Sequence, residues 1–446
     1  MNQGAIAVRL IAVGSTGRFW LATLFTLGFS IGLLMVLNSQ LSGDQMPMLD
    51  LGWQLAHHHV WVAHGMLTSA GGYSPGGLTG LLTGIQLLLW SDYRSPALFI
   101  LIFNAAAFLL LLRTVGPALT ELGQRLLLLL LWLSPWHLYF SSHLWDPNYM
   151  FVFAVLHLAT AQRMWRHNEV CTTAAHVLIL GLGVQMHTSA AVLCILSVLL
   201  YAKGLMRVNW MGFALGILLC LASLVPWMLA VAQHPELMPG GKGFPLRGLI
   251  YLFPLLRGIL YWVKISSLSL AGQMDDFNFI PTLGVALDTV LRPLASALTV
   301  LTQVSVIASG WLQWRFFRKR LLLPFRAKRA PAHARRWLQL YVTTFLWAAL
   351  IAFAVSPTTI MHWQVLIALP ASALAVIMST EVLARSRIRV HVRRVVPVWS
   401  VAAVVLLFCE AIASPMFRCG TYRLQAPSAI LTDLHVRMEC FNQHGK

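Results

Sequence analysis

Long apolar runs separated by short basic or aromatic-polar breaks fill this chain, and run length, more than any alternation, dictates its elements. A helix crossing a bilayer needs about 20 apolar residues, within a range of roughly 17–25. The first run, 19–37, meets that need and follows Arg9 and Arg18. Its continuation, Asn38-Ser39-Gln40-Leu41, offers no small-residue cleavage site, and the run is long for a signal peptide, so it reads as an uncleaved helix. Further spans fit near 96–112, 126–141, 148–165, 172–185, 188–202, 209–232, 286–312, 337–356, 360–383 and 395–414, which makes eleven. The stretch 78–90 is short for a span and reads as an interfacial or partly inserted helix within a large first loop, 38–95. There is no repeat of fixed period, so the pattern predicts an all-α polytopic integral membrane protein with one domain over 1–446.

Charge tests the count. The clusters Arg163/Arg166, Lys203/Arg207, 315–336 and 385–394 must share the cytoplasmic face, and with eleven spans they do. The N-terminus and the basic loop 314–336 then lie inside. The first loop, a second large loop 233–285 and the tail 415–446 lie outside. Within the second loop, 249–265 is apolar and basic, as expected of an amphipathic helix along the surface.

Composition narrows the class. With 58% hydrophobic and 10% charged residues, the chain departs from the roughly 45–50% and about 25% of soluble domains. A soluble enzyme and a disordered chain are both excluded. The net charge of +18 would suggest nucleic acid if it formed one patch, but it falls in short clusters between apolar runs, so nucleic acid is not an expected partner. The six cysteines lack metal-ligand spacing. In the external tail an oxidising compartment favours a bridge between Cys419 and Cys440, with two free thiols as the alternative.

With 14 carboxylates in the chain, each can be weighed singly. Asp44 and Asp50 follow the first span closely, where a carboxylate can act as general base on a substrate whose tail stays in the bilayer. The plainer alternative is a solvated turn. His57, His58, His59 and His64 form a cluster, yet consecutive residues on a helix point in different directions and cannot share one ion; a titratable interfacial face is expected, not a metal site. The hairpin 134–149 brings His143, Asp146 and Asn148 to one outer turn, able to hydrogen-bond sugar or phosphate, while its Trp and Tyr suit an interfacial belt. Gln185 and His187 form a polar turn between two short spans, and 356–364, with His362, forms a similar one. Arg257 and Lys264 give the second loop a positive character suited to holding a phosphate, or to attracting anionic headgroups.

Taken in order, several of these residues resemble the GT-C type of lipid-dependent glycosyltransferase, in the bacterial group of protein mannosyltransferases, aminoarabinose transferases and Rgt-like sugar transferases. The resemblance rests on Gly43-Asp44-Gln45 after the first span, the stretch from Tyr73 to Thr79, Trp145-Asp146-Pro147-Asn148, Gln185-Met186-His187, and His362 followed by Pro370. It covers 20–200 best and the last spans more loosely. It implies transfer of a sugar from a polyprenyl-phosphate donor to a glycan, lipid or protein acceptor at the outer face of the cytoplasmic (inner) membrane. The first-loop acid serves as base there, which maps to Asp44, with Asp50 in reserve. Arg257 and Lys264 would hold the leaving phosphate in an inverting displacement, with His187 and His362 lining the cavity. Many relatives have Asp-Glu where this chain has Asp44-Gln45, and Asn where it has Asp146. The first departure removes a second loop carboxylate, leaving a divalent metal open and no cofactor firmly expected. A transporter or flippase of lipid-linked sugars is the alternative from another class, and a glycan ligase or polymerase the alternative among enzymes. Transport sites are often flanked by broken helices in repeated halves, and no matching halves are found.

Overall fold

A computed structural model describes residues 15–38, 45–68, 71–238, 246–269, 279–326, 331–385, 389–412 and 428–435. The expected apolar runs become helices. In chain order they are α1 (Ser15–Leu37), α2 (Gln45–His58), α3 (Leu78–Leu89), α4 (Ser95–Val115), α5 (Glu121–Leu127), α6 (Pro135–Ser141), α7 (Met150–Arg166), α8 (Val170–Met186), α9 (Ala191–Ala202) and α10 (Trp210–Gln233). They continue through α11 (Arg247–Tyr251), α12 (Phe253–Lys264), α13 (Ile280–Phe317), α14 (Leu323–Arg326), α15 (Ala334–Val355), α16 (His362–Val365), α17 (Leu369–Leu383), α18 (Arg389–Ile412) and α19 (Ser428–Asp433). Among the described residues six helices are long and apolar enough to cross a membrane, and four shorter apolar helices accompany them. The protein is an all-α polytopic membrane bundle. Among the described residues the one sheet is a small antiparallel hairpin, β1 (His64–Leu67) with β2 (Tyr73–Pro75), which hydrophobic run length does not signal.

The run expected over 126–141 is broken rather than straight. A π-helical turn, Leu128–Trp132, follows α5, and Pro135, which lacks an N–H to continue the ladder, opens α6 in a new direction. Helices in lipid associate through close packing of small residues more than through hydrophobic exclusion. Gly28 and Gly32, four apart on α1, do this: the Trp132 ring and the Leu101 side chain occupy the space a Cβ would need at each. The Trp132 indole N–H also donates to the Phe25 carbonyl at 3.0 Å.

Long-range bonds sort the inter-helix breaks into two ends. At one end Arg335 reaches the Ala118 carbonyl and the Glu381 carboxylate, and the Arg207 amide donates to Met164. At the other, the Asn38 amide donates to Ala411. There α19 docks on the first loop: Ile430 and Leu434 are fully buried, the Trp53 indole donates to the Asp433 carboxylate at 3.2 Å, and the Tyr93 amide donates to Leu434.

The stretch expected along the surface packs one face on the bundle and leaves the other, with Leu249, Tyr251, Leu256 and Leu260, exposed. Gly248 and Gly258 pack against Phe353 of α15, and Trp262 is buried beside Phe317 and Phe345. The unwound residues after α12 are satisfied by side chains of neighbouring helices. Ser305 accepts from the Leu268 amide, and Ser372 and Gln313 donate to the Trp262 carbonyl. Irregular backbone at bundle depth requires such partners. Asp44, Cys419 and Cys440 lie outside the described residues, and Cys171, Cys194, Cys220 and Cys409 are free thiols.

Within the first loop, α2 and α3 pack closely. A Cβ at Gly52 would meet the Thr83 backbone carbon at 2.9 Å, and one at Gly84 would meet Leu55. Gly52→Ala must therefore part the pair, with an expected loss of about 1–3 kcal/mol, measured as a lowered unfolding temperature in detergent. An unchanged temperature would refute the close-packing account.

Candidate functional site

A cavity of about 840 Å³ opens at the end of the bundle where α1 and α18 finish. Its walls come from α2, the hairpin, the turn before α7, the turn between α8 and α9, and the end of α15 with the loop into α16. Most of this lining is apolar. Its polar groups converge from different elements, among them Asp50, His64, Tyr73, Asp146, His187 and Gln364. Pockets of this size with a few convergent polar groups are typical ligand sites.

Helix α2 starts just after the first span and carries Asp50 on the face turned to the cavity, where Gln54 one turn on donates to its Oδ1 at 3.4 Å. The short hairpin brings His64 onto Tyr73, ring centroids 4.2 Å apart. Asp146 sits in a turn opened by Pro147 and is 9% exposed. Trp145, its neighbour, meets Trp363 across the cavity wall, with centroids 5.1 Å apart.

His187 ends α8 in extended backbone and caps the short turn that follows. Its Nδ1 accepts from the Ser189 amide at 3.2 Å and lies 2.7 Å from the Ser189 hydroxyl. A nitrogen that accepts an amide proton carries none itself, so the neutral ring holds its proton on Nε2 as a free donor. Burial pushes the His187 pKa down to about 4. Because that lies below the ordinary histidine value, protonation favours the unfolded chain. The stabilisation is complete above about pH 6.5 and is lost as pH falls towards 4, amounting to about 2 kcal/mol at pH 5. Thermal unfolding at pH 7 and pH 5 should differ in wild type, and His187→Gln should shrink that difference by about 2 kcal/mol, the other buried histidines acting alike in both proteins. An equal difference in the variant would refute the assignment.

A second cluster abuts this cavity without lining it. His362 opens α16 directly before Trp363 and Gln364 of the cavity wall, and its ring lies 5.8–5.9 Å from those of Trp136, Phe140 and Tyr261. Arg257 donates to the Tyr261 hydroxyl at 3.1 and 3.2 Å, and the Lys264 ammonium lies 5.9 Å from the Trp136 ring. Among the described residues neither cation has a carboxylate partner. Among the described residues the two cations thus place positive charge beside the cavity without a carboxylate to offset it.

Of the residues singled out in the sequence, Asp50, Asp146 and His187 share the main cavity, while Arg257, Lys264 and His362 share the basic cluster. His143 packs on Tyr139 and Trp145, with its Nδ1 2.8 Å from the Tyr139 carbonyl. Gln185 turns inward and donates to Ser223, and Asn148 donates to the His143 carbonyl. Asp44 lies outside the described residues, six positions before Asp50. The histidine run ends α2, with His59 in left-handed backbone, and no set of three metal-ligating side chains occurs among the described residues. Lining residues such as Phe353, Val192 and Ile195 carried no sequence signal, because an apolar helix position looks alike whether it faces lipid, a neighbour or a cavity.

Neither a family model nor a curated protein sequence matches this chain. Among solved structures it is similar to ArnT from Cupriavidus metallidurans in the apo state, at 13% identity and TM-score 0.52, covering 89% of this chain and 77% of that one. It also overlaps ArnT from Cupriavidus metallidurans bound to undecaprenyl phosphate, at 11% identity and TM-score 0.47, over 89% and 76% of the two chains. The first likeness shows the fold alone, an ArnT-like membrane bundle.

Proposed function

We propose that this protein is a membrane glycosyltransferase that moves a sugar from a polyprenyl-phosphate donor to an acceptor at the outer face of the cytoplasmic membrane. One observation carries the reading: a largely apolar cavity with carboxylates on one side lies against an Arg257–Lys264 cluster that has no carboxylate partner among the described residues. An inverting displacement needs that division. The acceptor hydroxyl gives its proton to a base as its oxygen attacks the anomeric carbon, and the bond from that carbon to the phosphate oxygen breaks with negative charge left on the phosphate.

Asp44 is the base in this reading, as the sequence resemblance implies, with Asp50 in reserve from the cavity wall. Arg257 and Lys264 stabilise the leaving phosphate, the arginine fork matching its oxygens and the lysine adding a point charge. His187, neutral at pH 7, donates from Nε2 to a sugar or phosphate oxygen. Asp146, His143, Asn148, Gln185 and His362 shape the same pocket directly or from behind. The fold agrees with this chemistry without specifying it. The basic ends of the helices, at the opposite end from the cavity, favour a cytoplasmic position by the positive-inside rule, which puts the cavity outside.

Purified protein in nanodiscs, given radiolabelled polyprenyl-phosphate sugars and envelope glycolipid acceptors, tests the reading. Label should pass to the acceptor. Lipid movement across the bilayer without transfer would make the protein a carrier and overturn the proposal.

A further inference from the structure

The short helix α6 stands between the two halves of the site. On one side Trp136 faces Lys264 and His362; on the other, His137 is 2% exposed against Phe151 and Trp132. The Trp132 backbone lies near the His137 ring but neither ring nitrogen makes a well-aligned hydrogen bond in the protein, and Asn148 Oδ1, also 2% exposed, has no partner. Both residues line one small void of about 10 Å³, together with Asn104, Pro147, Phe151 and Leu369. A buried polar atom left unpaired is costly, and two such groups around one void need a shared explanation.

The donors and acceptors fit one molecule. A neutral imidazole offers an N–H, and Asn148 Oδ1 offers only lone pairs, since Asn148 Nδ2 is committed to the His143 carbonyl at 2.7 Å. A void of about 10–15 Å³ holds one water if polar partners surround it. No carboxylate lines the void, which disfavours an ion there.

We propose that this void binds a single internal water that accepts from His137 and donates to Asn148 Oδ1, fixing the turn that carries Asp146 into the main cavity. Asn148 is then held at four points, because its backbone carbonyl also accepts from Asn104 at 3.3 Å and its backbone amide donates to the Trp145 carbonyl at 3.1 Å. The segment 143–148 is tied to α4 and α6 together, and α6 in turn touches the cationic cluster through Trp136. His137 and the water thereby act as positioning groups that keep the acidic and basic walls in register.

The functional consequence rests on the transferase reading, whereas the water does not. A cryo-EM map of the full chain in nanodiscs, sharp enough to resolve ordered water, should show a peak within hydrogen-bond distance of His137 and Asn148. A map with no peak there, or with the imidazole donating instead to the Trp132 carbonyl, overturns the site. In kinetics, His137→Phe should lower kcat about 10- to 100-fold with KM and unfolding temperature unchanged, and His137→Gln should recover most of the loss. Wild-type kcat in His137→Phe overturns the positioning role. If that variant does not fold, a His137→Gln protein below a tenth of wild-type kcat does so instead. Wild-type protein without transferase activity would reject the transferase reading and the positioning role with it, and the map alone would still decide the water.

Discussion

Asp44→Asn protein is expected to keep its affinity for a polyprenyl-phosphate donor and to lose transfer by about 10²–10⁴-fold, the usual contribution of a positioned general base. That corresponds to roughly 3–5 kcal/mol of lost transition-state stabilisation. The amide keeps the size and polarity of the side chain but cannot take the acceptor's proton as its oxygen attacks. Asp50→Asn should cost less, about ten-fold, because in this reading Asp50 shapes the acceptor pocket without receiving the proton. Donor binding, followed by quenching of tryptophan fluorescence, separates the chemical step from capture of the lipid. Full activity in Asp44→Asn with collapse in Asp50→Asn would move the base to the cavity wall. Full activity in both would sink the mechanism.

At the opposite end of the bundle, Arg335→Ala should lower stability by about 1–3 kcal/mol, because it strips a charged donor from a buried carboxylate although the guanidinium itself is 31% exposed. Glu381 is 2% exposed and accepts the Arg335 guanidinium at 2.6 Å together with the Thr120 amide and hydroxyl. Without the arginine its carboxylate keeps only neutral donors in a place water does not reach. Adding Glu381→Gln to Arg335→Ala should restore much of the loss, since the buried charge is then gone. Glu121→Ala is the control: its pair with Arg125 is exposed on both sides, and its removal should cost no more than about 1 kcal/mol. Thermal unfolding in detergent reads all four proteins. Equal losses in Arg335→Ala and Glu121→Ala would show that burial does not matter at this junction.

Helix positions were largely legible in advance because they are local. The run expected over 96–112 lies within α4, that over 209–232 almost coincides with α10, and that over 337–356 with α15. The misreadings fall where contacts override run length. The run over 126–141 is split by a π-helical turn and Pro135, whereas 249–265 keeps an exposed apolar face while Gly248 and Gly258 let its other face approach α15. The hairpin 64–75 bears no strong alternation and is held by its pairing and by α3.

The candidate site divides in the same way. Asp50, Asp146 and His187 stand out as polar residues at the ends of apolar runs, so the sequence marked them as candidates. It also marked Gln185 and His143 by the same sign, and these turn into internal hydrogen bonds and ring packing instead of the cavity. His137 drew no separate notice, because a histidine one residue after a tryptophan in an apolar run has no distinguishing pattern.

By itself, then, the sequence determined that the chain is a helical membrane bundle, where most of its long helices lie, and which breaks carry basic residues. Each of those follows from the length of an apolar run, about 1.5 Å of helix per residue, and from charges counted along the chain. Only the tertiary structure decided which polar ends meet around one cavity, that Arg257 and Lys264 stand beside it, and that His137 and Asn148 face one small void. Those outcomes depend on how helices pack and rotate against one another, and that is fixed by contacts between residues far apart in the chain.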